Sequence, residues 1–165
     1  MMRPTTTLAL AAILAPLMAV AAAGTASGTF TVQGKAWKQA HAYAVAKPDP
    51  SDNTKEEVQV TLSDVALDAK VLEDPTPFGL QDLTKANKLH GIRITISPDK
   101  AVTSTSMYDS AFKMGSVSVA GSDIKLTLKT LDKTTVAGKL YTAKALDFNG
   151  VPFEYSVTFS APIAR

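Results

Sequence analysis

The side chains best suited to holding a ligand combine an apolar ring with a polar atom at its edge. Three of them share one phase of an alternating segment and the fourth lies later in the chain: Trp37, His41, Tyr43 and Tyr108. Rings of this kind line many small-molecule cavities, where the polar atom fixes the orientation of the ligand. We therefore predict that these four residues line any ligand cavity. The same alternation also fits an alternative, in which these side chains pack in the core.

Residues for metal binding or covalent catalysis are scarce. The chain has two histidines, His41 and His90, and no cysteine, which excludes thiol catalysis and cysteine-bound metals. Neither histidine belongs to an H-x-H or H-E-x-x-H motif, and no glycine-rich phosphate loop or G-x-S-x-G elbow is present. A Ser/His/Asp triad remains an alternative, because its members need not be close in sequence. We expect no metal, no cofactor and a non-catalytic protein rather than an enzyme.

Charge is nearly balanced overall, at +2, but it is unevenly distributed. Residues 24–82 hold nine acidic and five basic residues, whereas residues 83–165 hold six acidic and eleven basic ones. The balanced total is unlike that of a nucleic-acid-binding protein. Four lysines of the basic half lie on two adjacent predicted strands: Lys125, Lys129, Lys139 and Lys144. They form either a stripe for a polyanion such as lipopolysaccharide or charges that block edge-to-edge strand pairing.

Alternation of apolar and polar residues with a period of two dominates the chain, as in strands with one buried face. The clearest runs place apolar residues at 58/60/62, 92/94/96, 124/126/128 and 153/155/157/159. We expect all four sets to face the core. Residues 37–46 are also predicted as a strand, although their alanines would suit a helix. Asn149-Gly150 is the strongest turn signal, because both residues tolerate positive φ.

Residues 64–89 form the only long stretch without this alternation. Pro75 and Pro77 prevent one continuous helix there, and residues 78–88 are predicted to form two or three helical turns that cover an end or edge of the sheet. One-sided strands joined by short turns are typical of antiparallel sheets. The predicted fold is therefore mostly β: an antiparallel sandwich or up-and-down barrel of eight to ten strands with one short helix.

Residues 1–23 are typical of a cleavable signal peptide. Arg3 precedes an apolar run over residues 8–23 that contains Pro16 and ends in an A-x-A site. This run is shorter than the roughly 20 apolar residues that span a bilayer. We predict cleavage before Gly24, a single domain over residues 24–165, no membrane span, and a periplasmic or secreted location.

Three stretches resemble a group of small secreted bacterial β-domains with no established activity: GTFTVQGKAWKQAHAYAVAKPDP, EEVQVTLSDVAL and VAGKLYTAKALDFNGVPFEYSVTFSAPI. The shared elements are A-Y-A within a strand, L-S-D after a strand and T-F-x-A-P-I at the end. The resemblance covers most of residues 28–163. It implies an exported bacterial protein and no catalytic residues.

Three functions are compatible with these features. The first is a non-catalytic binding or interaction module of the bacterial envelope or exterior, whose partner is an envelope or extracellular molecule and not a nucleic acid. The second is a lipocalin-like carrier of a small apolar ligand, which requires an interior cavity. The third is a hydrolase of an envelope polymer, which requires a cleft where two titratable groups converge.

Overall fold

The described part of the protein consists largely of β-strands, which account for 58% of the residues that the structure describes. The structure is a computed structural model and describes residues 22–73, 76 and 78–165. Its strands are β1 (Gly24–Val32), β2 (Lys35–Pro48), β3 (Glu56–Ser63), β4 (Gly91–Ile96), β5 (Val102–Tyr108), β6 (Ser116–Val119), β7 (Ile124–Leu131), β8 (Thr135–Thr142), β9 (Leu146–Phe148) and β10 (Val151–Ala164). Its helices are α1 (Ala69–Glu73) and α2 (Phe78–Lys85). The predicted signal segment lies outside the described residues, apart from its last two positions.

The strands form one mostly antiparallel sheet that curls into a half-barrel. Nine of them follow the order β6-β5-β4-β3-β2-β1-β10-β8-β7, and the short β9 pairs with β10. The terminal strands of this order, β6 and β7, are consecutive in the chain and are joined by residues 120–123. The curl therefore brings the two edges of the sheet close together, although no pairing joins them within the described residues.

The antiparallel fold predicted from the alternation is confirmed, as is the strand over residues 37–46, which lies within β2. The Asn149-Gly150 turn joins β9 to β10, with φ of 53° at Asn149 and 82° at Gly150. Phe148 pairs directly with Val151, as a two-residue hairpin requires. The segment before this turn is divided between β8 and β9.

The inner face of the half-barrel is filled by side chains. One continuous apolar cluster collects residues from β1, β2, β3, β4, β5, β6, β8 and β10. Three of the four predicted sets, 58/60/62, 92/94/96 and 153/155/157/159, are buried in it. The set 124/126/128 packs against the cluster but is only half-buried, because β7 is a terminal strand with no neighbour on one side.

The segment between β3 and β4 contains two short helices, where the sequence predicted one. The predicted helix in residues 78–88 is present as α2. It ends where Asn87 adopts a φ of 54° and the Lys88 amide donates to the carbonyl of Leu83 at 2.9 Å. The additional helix, α1, precedes the proline pair that separates it from α2.

Candidate functional site

The four residues predicted to line a cavity make separate contacts. The His41 and Tyr43 rings lie 6.5 Å apart between centroids. Trp37 instead stacks on His90, with centroids 3.4 Å apart and ring planes 6° apart. Tyr108 is buried in a separate apolar cluster beside α2. None of these residues lines the surface clefts of about 750, 460 and 280 Å³.

The contact between His90 and Asp64 is the arrangement closest to catalytic machinery. His90 Nδ1 lies 2.8 Å from Asp64 Oδ2, and the His90 backbone amide donates to Asp64 Oδ1 at 2.8 Å. In hydrolases, such a carboxylate orients the histidine that acts as general base. Here the second ring nitrogen lies 3.2 Å from Asn87 Oδ1, and His90 is only 2% exposed. Both ring nitrogens of His90 have partners within the protein. The Asp64–His90 pair therefore attaches the helical segment to the sheet.

The two predicted tyrosines have similar anchoring contacts. The Tyr43 hydroxyl accepts a hydrogen bond from the Leu67 backbone amide at 2.9 Å, which attaches the start of the helical segment to β2. The Arg93 guanidinium lies 6.0 Å above the Tyr108 ring, and its Nε donates to Thr61 Oγ1 at 3.1 Å. Burial raises the pKa of the Tyr108 phenol. The Tyr43 hydroxyl and the Arg93 guanidinium therefore have hydrogen-bond partners within the protein and are not presented to a ligand.

The described part of the chain contains no candidate metal cluster and no candidate membrane-spanning helix. No three of its His, Asp and Glu residues come together in a way that could hold a metal ion. None of its helices is long and apolar enough to cross a membrane.

A groove of about 750 Å³ crosses the outer face of β1, β10, β8 and β7. The strand registers place its side chains in two rows that run across all four strands. One row is Thr25, Ser160, Ala137 and Thr130, and the next is Ser27, Thr158, Lys139 and Thr127. Residues directly opposite each other on antiparallel strands point to the same face. The groove therefore combines Ser and Thr hydroxyl groups with apolar surface from Ala26, Leu128, Ala137 and Phe159; we call it the hydroxyl groove.

The hydroxyl groove has a positive charge. Lys129 and Lys139 line it, and none of the described residues that line it is acidic. Lys125 lies in the following row, opposite Tyr141. Lys139 also lies 5.4 Å from the Tyr141 ring centroid, so an aromatic ring borders the cationic end. The fourth lysine of the predicted stripe, Lys144, forms an exposed ion pair with Asp123 at 3.4 Å and does not line the groove.

Two β-bulges flank the hydroxyl groove. The register between β1 and β2 shifts between Thr25 and Gly28, and the register between β7 and β8 shifts between Leu128 and Thr130. Bulges increase local strand twist and are frequent beside functional sites. Gly28 permits the first bulge, because its φ of 140° suits glycine and a Cβ there would lie 2.0 Å from the Ser156 carbonyl oxygen. Apart from these two bulges, the strand registers across the groove are regular.

A second surface cleft, of about 460 Å³, lies between the turn at residues 49–55 and the turn after β4. Two of its three aspartates, Asp49 and Asp52, are engaged locally. The Ser51 hydroxyl and backbone amide donate to Asp49, and Thr54 does the same for Asp52. These hydrogen bonds lower the pKa of both carboxyl groups. The contacts are those of a self-contained Asx turn.

Sequence reasoning identified the lysines of the hydroxyl groove but not its hydroxyl rows. Lys129 and Lys139 belong to the lysine stripe predicted from the sequence. The hydroxyl rows combine residues more than 100 positions apart, since β1 pairs with β10. The one available signal was the alternation of Thr and Ser at residues 25–31 and 156–160.

Comparison of the chain with protein-family models, curated proteins and solved structures finds no match.

Proposed function

We propose that the protein is a non-catalytic binding module of the bacterial envelope or exterior, and that its hydroxyl groove binds an anionic polysaccharide. The observation that carries the proposal is the composition of this groove, in which seven Ser and Thr hydroxyls and two lysines occur together without a carboxylate among the described lining residues. The exported location rests on the signal-peptide pattern of residues 1–23.

The chemistry of such a groove suits a sugar polymer with phosphate or carboxylate groups. Hydroxyl side chains both donate and accept hydrogen bonds, as sugar hydroxyls do. Lysine ammonium groups form charge-assisted hydrogen bonds with phosphate or carboxylate oxygens. An open groove across four strands also admits a chain that continues beyond the site at both ends.

The two alternative functions have less support. A lipocalin-like carrier needs an interior cavity, whereas the inner face of this half-barrel is filled by one apolar cluster. A hydrolase needs titratable groups that converge in a cleft. In the Asp64–His90 pair, the Trp37 ring stacks on the His90 ring, and the second ring nitrogen lies within hydrogen-bond distance of Asn87 Oδ1.

The proposal is tested by measuring the affinity of the protein for alginate and dextran sulfate, with neutral dextran as the control polymer. We expect binding to both anionic polymers, weakening with salt because the groove charges are exposed to screening. The double variant Lys129→Gln/Lys139→Gln should bind at least about tenfold more weakly, because each lysine provides an ionic hydrogen bond.

The matched control is Lys88→Gln/Lys113→Gln, which removes the same charge from two exposed lysines outside the groove. This control should bind within about twofold of the unmodified protein, since it changes only the net charge. Equal loss in both double variants would show that binding follows net charge and not the groove. Equal affinity for neutral dextran would also contradict the proposal.

A further inference from the structure

The half-barrel has an open seam where its two ends approach each other. Residues 102–104 of β5 extend beyond the part of β5 that pairs with β6, and residues 124–126 of β7 face them. In the described chain, β7 pairs only with β8. Both strands therefore present an unpaired edge to the same gap, which we call the seam.

The seam is too wide for β5 and β7 to pair directly with each other. The Cα atoms of β5 and β7 lie more than 8 Å apart over most of their length. Hydrogen-bonded strands lie about 4.8 Å apart, so strands separated by one intervening strand lie roughly 9.5 Å apart. The cleft between them has a volume of about 280 Å³. The free edges on either side of the cleft are three residues long, so the space suits a short run of extended backbone.

A buried hydroxyl group at the seam lacks a partner. Thr105 lines the cleft and is 1% exposed, and its Oγ1 has no hydrogen-bond partner among the described residues. A buried polar group without a partner is costly and is uncommon in native proteins. A segment that entered the seam could supply the missing donor or acceptor.

The side chains around the seam define the kind of segment that fits. Val119, Ile124 and Leu126 are half-buried and provide an apolar inner surface. Lys100 and Lys125 lie at the exposed rim, and no acidic residue lines this cleft among those described. In an extended strand, alternate side chains point to opposite faces. A matching segment therefore has apolar residues on one face and acidic residues on the other.

We infer that the seam binds an extended, acidic polypeptide segment of a partner protein by strand addition. Main-chain groups of the segment pair with the free edges of β5 and β7, and this pairing provides affinity. The acidic side chains meet Lys100 and Lys125, and this contact provides specificity. The inference does not depend on the proposed function, because the polysaccharide would lie on the outer face of the sheet and the segment at its edge.

The experiment uses an eight-residue peptide that alternates valine and glutamate, with a valine–lysine peptide as its charge-reversed control. Binding is followed by NMR of the ¹⁵N-labelled protein, together with amide hydrogen exchange. We expect saturable binding of the glutamate peptide and slower exchange at residues 102–104 and 124–126. The lysine peptide should produce neither effect, because the rim of the seam is cationic.

Two variants separate the roles of charge and of the buried hydroxyl. Lys100→Glu should weaken peptide binding by about tenfold, because it places a like charge at the rim, whereas Lys88→Glu should not. Thr105→Val should also weaken binding, yet the free protein should unfold at an equal or higher denaturant concentration, because the variant removes an unpartnered polar group. An ordinary structural threonine would not show this combination.

Three outcomes would overturn the inference. The first is failure of the glutamate peptide to bind at millimolar concentration. The second is binding that maps to the hydroxyl groove and is lost in Lys129→Gln/Lys139→Gln, which would show attraction to the groove alone. The third is self-association of the free protein with protection of the β7 edge, which would identify a second copy of the chain as the occupant.

Discussion

Replacement of Asp64 by alanine should destabilise the protein strongly, because this carboxylate holds two donors of a buried histidine. The Asp64 oxygens accept from the His90 ring and backbone, each at 2.8 Å. The histidine ring in turn supports the only tryptophan of the chain, Trp37. The alanine variant leaves both His90 donors without their acceptor.

The magnitude follows from these contacts. Hydrogen bonds to charged groups contribute about 1.5–3 kcal/mol each. The Asp64 side chain is 15% exposed, so solvent partly compensates the loss and the lower end of this range applies. We therefore expect Asp64→Ala to lower the free energy of unfolding by about 3 kcal/mol. Asp64→Asn retains an acceptor for the backbone amide and should cost about half as much.

Urea denaturation measures these differences, with Trp37 fluorescence as a local signal from the stacked ring. Asp82→Asn is the matched control, because Asp82 is an exposed carboxylate on α2; it should change the free energy of unfolding by less than about 0.5 kcal/mol. If Asp64→Ala and Asp82→Asn unfold at the same urea concentration, the Asp64–His90 contact does not stabilise the fold.

Three further perturbations test the packing, the backbone and the turns. Phe153→Ala should cost about 3–5 kcal/mol in chemical denaturation, because this ring is buried and packs edge-on against Phe112 with centroids 6.3 Å apart; a cost below about 1 kcal/mol would place it outside the core. Gly28→Ala should cost more than about 2 kcal/mol in the same assay, because it combines an unfavourable φ with a backbone clash. Backbone and side-chain hydrogen bonds from Thr134 lower the pKa of Asp132 below its usual 3.8. The stability from these bonds is present above about pH 3.8 and disappears as pH falls through the lowered pKa; NMR titration of the Asp132 carboxyl checks the direction, and a raised pKa would contradict it.

The antiparallel fold was predictable because its information is local. Alternation of period two assigns each residue of β3, β4 and β10 to one face, and the Asn149-Gly150 pair sets the final hairpin without reference to distant residues. The half-burial of residues 124, 126 and 128 was not predictable in this way. Their pattern equals that of β4, but β7 is a terminal strand of the sheet, and that position depends on the pairing of the whole chain.

The contacts of the predicted site residues were unpredictable for the same reason. Trp37 was expected beside a ligand, but the stacked ring belongs to His90, which is 53 positions away in the sequence. No local rule brings Asp64, His90 and Trp37 together. Their contact depends on the helical segment folding back over the start of β2. The proximity of Lys125, Lys129 and Lys139 was easier to predict, because β7 and β8 are neighbours both in sequence and in the sheet.

The terminal position of β7 links the hydroxyl groove to the seam. Its bulge flanks the groove on one side of the strand, and its unpaired edge forms one wall of the seam. Lys125 lines the seam and also lies in the row next to the groove, so a variant at this position alone cannot assign a ligand to either site. Lys129 and Lys139 line only the groove, whereas Lys100 lines only the seam. A polysaccharide at the groove should therefore be sensitive to the first two lysines and indifferent to Lys100. An acidic peptide at the seam should show the opposite dependence. If both ligands responded equally to all three lysines, the attraction would follow the general charge of this end of the sheet, and neither site would be specific.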